Sequence, residues 1–154
     1  MAKSDLHLWS TNRIATLENA MQRWFKQKAY DAATANQSAK RVITLLSTTL
    51  SSEQGQWVLQ DRDTAANELA ITSITEQAVN QKIVDRTFVD AGIRWVIDYK
   101  STALANDSSD ADLKVLAAQY QAQLDGYATL FEDQNLPIQK AIFFVSIGRL
   151  LKLD

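Results

Sequence analysis

The segment Lys82-Ile-Val-Asp-Arg-Thr-Phe-Val-Asp-Ala-Gly-Ile-Arg-Trp-Val-Ile-Asp-Tyr-Lys100 restricts the fold most. β-Branched and aromatic residues flank Asp90-Ala91-Gly92, so the stretch reads as two strands joined by a turn. Side chains alternate along a strand. Val96, Asp98 and Lys100 therefore share one face, and Trp95, Ile97 and Tyr99 point the other way, into a core. A tight turn at Ala91-Gly92 pairs Asp90 with Ile93 and sets Asp85 opposite Asp98, with Cβ atoms about 5 Å apart. Opposed like charges repel, and a cation between them offsets the cost. Mg²⁺ suits such a place, because it uses one or two carboxylates together with waters and phosphate oxygens. A metal there would acidify a bound water and polarise a phosphoryl oxygen, and Lys100 would steady the charge that develops in the transition state. The plainer alternative is a surface hairpin carrying an Asp98–Lys100 ion pair. Asp85 is what weighs against it.

The rest of the chain supplies layers for this hairpin. Ile14, Leu17, Met21, Trp24 and Phe25 recur at helical spacing. A second helix, capped by Asn36 or Ser38, carries Val42, Ile43, Leu45, Leu46 and Leu50, and residues 51–55 form a loop. Trp57-Val58-Leu59 is a short apolar patch expected on the sheet edge. Strands are predicted over 68–74, 81–89 and 93–99, a flexible loop over 101–111, and one long helix along Leu113, Leu116, Tyr120, Leu124, Tyr127 and Phe131. After Pro137, residues 138–147 read as a buried strand. Helices, three strands, a helix and a strand give an α/β fold, with a mixed central sheet flanked by helices. The expected organisation is one domain over 1–154, with a helical N-terminal part (1–55) and a core at 57–147.

Composition narrows the chemistry. The 154 residues include no cysteine, which removes thiolate metal sites, disulfides and cysteine nucleophiles and suits a reducing cytoplasm. No apolar run spans a bilayer, and Met1–Ser10 lacks the apolar centre of a signal peptide. The net charge of −2 is low for a self-sufficient nucleic-acid binder. It leaves room for a catalytic module whose grip on DNA lies elsewhere. A serine–histidine triad would have to use His7, and no glycine-rich nucleotide loop is present. Trp24, Trp57, Trp95 and Phe143 read as core.

Gln123 and Tyr127 stand four apart on the long helix and share a face. They can hold a phosphate or brace a lysine, although taken alone Tyr127 reads as core and Gln123 as surface. Asp85, then Asp98-Tyr99-Lys100, then Gln123-x-x-x-Tyr127, in this order, resemble motifs of the PD-(D/E)XK nucleases, in particular the RecB/AddA exonuclease branch. Ile83 to Asp90 is also similar to the nuclease region of UvrD-type helicase–nucleases. The resemblance covers about residues 57–147.

It implies a restriction-endonuclease-like core with Mg²⁺ or Mn²⁺ held by Asp85, Asp98 and the Tyr99 main-chain carbonyl. Lys100 would be the catalytic lysine, Gln123 and Tyr127 would contact DNA or support the site, and Glu68 would be a further ligand or a supporting acid. The family's metal-binding histidine has one counterpart to offer, His7, which lacks the preceding glycine and sits near a terminus, where a solvated role is commoner. The implied activity is exonucleolytic cleavage of DNA within a helicase–nuclease of repair or recombination, the ATPase motor lying in another region or subunit. An inactive DNA-binding or assembly module of the same fold is the alternative, and a restriction-type endonuclease is a third reading.

Overall fold

A computed structural model describes residues 5–75 and 78–154. Residues 1–4 of the Met1–Ser10 stretch lie outside it. The chain forms two compact units. The first runs up to Asp61 and includes Ser101–Ala103 and Val145–Arg149, and the second takes Arg62–Lys100, Leu104–Phe144 and Leu150–Asp154. The chain passes between them several times, so no single linker marks the division.

The first unit is helical. After a short 3₁₀ turn at Leu6–Leu8 come α1 (Thr11–Ala15), α2 (Glu18–Gln27), α3 (Ala32–Ser51) and α4 (Glu53–Leu59). The expected first helix is thus broken at Thr16-Leu17, where Thr16 Oγ1 turns back to donate to the Arg13 carbonyl. α3 begins earlier than Asn36: Asp31 caps it, accepting from the Thr34 amide at 3.0 Å. The expected loop at 51–55 is mostly helix, because Ser52 caps α4 by accepting from the Gly55 amide. Trp57-Val58-Leu59 belongs to α4 and is not an extended strip. Gly55 is required there, since a Cβ at that position would fall 1.9 Å from the Thr49 carbonyl oxygen.

The second unit is built on a five-stranded sheet in the order β1 (Ala66–Thr75), β2 (Ala78–Asp90), β3 (Ile93–Lys100), β4 (Ile138–Phe144) and β5 (Arg149–Leu153). β1–β2 and β2–β3 are antiparallel, and β3–β4 is parallel, so the sheet is mixed as expected. The sequence reading missed β5 and carried β4 too far. Residues after Phe144 turn instead, with Gly148 at φ +62, before the alternation of Leu151 and Lys152 starts a fifth strand.

Between β3 and β4 lie α5 (Asp110–Ala118), α6 (Gln121–Ala128) and a 3₁₀ turn at Thr129–Gln134. The expected long helix is interrupted at Gln119-Tyr120, where the Tyr120 amide donates to Ala117, a 3₁₀-type bond. α6 packs on β3 and β4. Arg94 fastens the sheet to the end of this layer, donating to Gln134 Oε1 at 2.9 Å with its guanidinium over the Phe131 ring. Val84, Phe88, Val96, Ile97, Ile142 and Phe143 are fully buried and form the core of the sheet. Among the described residues, no helix is long and apolar enough to cross a membrane.

Candidate active site

The hairpin register is the one expected from the turn. β2 and β3 pair from Asp90↔Ile93 to Arg86↔Ile97. Ala91 and Gly92 both take positive φ (+49 and +77), as a two-residue type I′ turn demands. One further step along this register brings Asp85 level with Asp98.

The pairing stops short of that step, and the departure builds the site. In such a hairpin the hydrogen-bonded pairs alternate, so the Tyr99 amide would next bond the main chain of Val84. It donates instead to Asp85 Oδ2 at 2.9 Å. The carboxylate thus replaces a ladder bond where the strands part. On the other side of β2, the pairs Asn67↔Arg86 and Leu69↔Val84 flank Glu68, which stands level with Asp85 in the left-handed region (φ +48). A glutamate held at positive φ inside a strand stores strain, of the kind that gathers at functional sites.

Asp98 is 3% exposed. Lys100 Nζ approaches Oδ2 to 2.7 Å. The two form a close ion pair in which Lys100 is the neighbour that meets Oδ2. Gln123 Nε2 reaches Oδ1 at 3.4 Å and donates more closely, at 2.6 Å, to the Tyr127 hydroxyl. Burial pushes the Asp98 carboxyl above its ordinary range, Lys100 pulls it back, and the nearby Asp85 charge raises it further. The ion pair that suggested an ordinary surface hairpin is therefore present but buried, and a second acid acts on it.

Of the sequence-predicted residues, Asp85, Asp98, Lys100, Gln123 and Tyr127 gather around this point. Glu68 is exposed. His7 lies on the 3₁₀ turn of the first unit, with Nδ1 buried and without a hydrogen-bond partner. No three His, Asp or Glu side chains among the described residues form a group suited to a metal ion, so the acidic set here is two carboxylates. Two carboxylates beside a main-chain carbonyl fit Mg²⁺, which keeps several waters, better than a cation that demands a full protein cage. The burial of Asp98 and the mutual repulsion of the two acids are what such an ion would relieve.

Two features escaped the sequence reading. Tyr120, taken only as part of an apolar stripe, places its ring 3.9 Å from Lys100 Nζ. Tyr120 stands at the break between α5 and α6. A groove of about 460 Å³ opens beside Gln123, lined also by Lys82, Ile83, Ala122, Gly126 and Tyr127. Lys82 Nζ donates to the Gly126 carbonyl at its edge, at 2.9 Å.

No protein-family model and no curated protein matches this chain. The functional reading stands on these residues alone.

Proposed function

We propose that this chain is a Mg²⁺- or Mn²⁺-dependent deoxyribonuclease, cutting phosphodiester bonds from a DNA end as part of a helicase–nuclease in repair or recombination. A cytoplasmic location and a partnering ATPase motor belong to the same proposal. One observation carries it: a buried carboxylate, Asp98, is paired with Lys100 while a second carboxylate, Asp85, is anchored on the adjacent strand. Burying a charge is costly unless it is paired, hydrogen-bonded or bound to a metal. Two acids placed in this way, with a lysine beside one of them, suit charge stabilisation at a phosphate.

Asp85 and Asp98, with the Tyr99 carbonyl, would hold the ion. Bound there, it would supply an acidified water and a polarised phosphoryl oxygen. The Tyr99 amide fixes Asp85, and Gln123, itself held by Tyr127, steadies Asp98. Lys100, kept over Tyr120 and beside Asp98, would balance the negative charge that grows on the phosphate.

The test is release of nucleotides from linear duplex and single-stranded DNA with Mg²⁺ or Mn²⁺. Activity should vanish with chelator and fall by about 10²–10³-fold in Lys100→Ala. Circular DNA should resist; its cleavage would mark an endonuclease. Degradation that survives both chelator and Lys100→Ala ends the proposal. An intact, folded chain that neither binds Mn²⁺ calorimetrically nor cuts DNA would instead be the inactive assembly module.

A further inference from the structure

We infer that the C-terminal end of α2 is a second contact surface, a stacking platform for single-stranded nucleic acid. The residues come from one short stretch of the first unit. Between Glu18 and Asp31 the chain has no acidic residue and carries Arg23, Lys26 and Lys28. This local excess of three positive charges stands out in a chain whose net charge is −2. Glu18 is bonded to Gln22, and Asp31 is drawn into the cap of α3.

Aromatic rings are interleaved with these cations. Trp24 and Tyr30 are each 49% exposed, contrary to the core position expected for Trp24. Trp24 meets Phe25 edge-on at 5.1 Å, and Phe25 meets Tyr30 edge-on at 5.5 Å. Lys28 Nζ stands 5.6 Å from the Trp24 ring centre. The helix ending holds this arrangement. Ala29 takes φ +66, the Ala29 amide donates to Lys26 and the Tyr30 amide donates to Phe25. That is a Schellman ending, which folds Tyr30 back over Phe25.

The chemistry of the surface selects its partner. α2 packs on α3, and on its exposed side rings alternate with cations, which is not the continuous apolar face that a bilayer takes up. What remains outside is ring surface alternating with exposed Arg23, Lys26 and Lys28. Unstacked bases offer flat faces to the rings, and their phosphates complement the cations. A duplex offers phosphates but few free base faces. The site therefore favours a single strand, and it does so without reference to the metal chemistry proposed above.

The experiment is fluorescence anisotropy of a short labelled oligothymidylate with the full chain in EDTA, where no metal-dependent event contributes. Binding should weaken about 5- to 150-fold in Trp24→Ala, recover largely in Trp24→Phe, and fall in Lys26→Glu with Lys28→Glu. It should also decline steeply with salt and exceed binding to duplex of equal length. Circular dichroism melting checks that the variants stay folded, and Trp24→Phe with the charge reversals serves if Trp24→Ala does not. Affinity equal to wild type in both Trp24→Ala and the charge reversal overturns the inference. So does binding to anionic phosphatidylserine vesicles with none to the oligonucleotide. Failure of hydrolysis with this binding intact would count against the nuclease proposal and not against the platform.

Discussion

At the scale of single residues, Asp98 carries most of the argument. Its carboxyl is pushed up by burial, and Asp85 adds to that. A carboxyl whose folded pKa exceeds the ordinary 3.8 destabilises the fold once pH rises above that value, and does so fully above the folded pKa. Below about pH 3.8 the penalty is gone. Asp98→Asn should therefore melt above the wild type at pH 7. The gap should close as pH falls towards 3.8. Calorimetric melting across that range checks it; a variant less stable at neutral pH would show that the Lys100 pair outweighs burial. The shared face of Asp98 and Lys100 was legible, because alternation along a strand fixes it. Asp85 capping the Tyr99 amide was not, because register arithmetic assumes that the ladder continues.

At the scale of elements, the β2–β3 hairpin was legible and the helix breaks were not. Turn chemistry at Ala91-Gly92 set the register, and the structure keeps it from Asp90↔Ile93 to Arg86↔Ile97. Ala91 nevertheless sits at φ +49, which costs an alanine about 1–2 kcal/mol. Ala91→Asn should relieve part of this and raise stability by about 0.5–1 kcal/mol, measured by urea unfolding; no gain would mean that the turn is held by its neighbours and not by its own preference. The split of the expected long helix has no glycine or proline to announce it. Periodicity carries an apolar stripe straight through Tyr120, while tertiary contact with Lys100 decides where that ring goes. The ending of α3 was hidden similarly, since a serine–glycine stretch reads as loop whether or not Ser52 caps a helix. Gly55→Ala should cost about 1–3 kcal/mol by forcing a Cβ onto the Thr49 carbonyl, seen as a lowered melting temperature. A neutral result would show that the α3–α4 corner yields.

At the scale of the whole molecule, the mixed sheet flanked by helices followed from the order of apolar patterns. β5 did not, because the five residues Arg149–Leu153 are too few for a period-two pattern to stand out. The modest net charge fits the proposed division of labour, in which acids of the sheet would hold a metal while cations are concentrated on α2. The sharpest test is a crystal structure of the chain soaked in Mn²⁺, read by anomalous scattering. The account predicts one ion within about 2.0–2.3 Å of a carboxylate oxygen from each of Asp85 and Asp98, with the Lys100 ammonium nearby. Ordered crystals that take up Mn²⁺ only at other positions, leaving Asp98 paired with Lys100 alone, would contradict it.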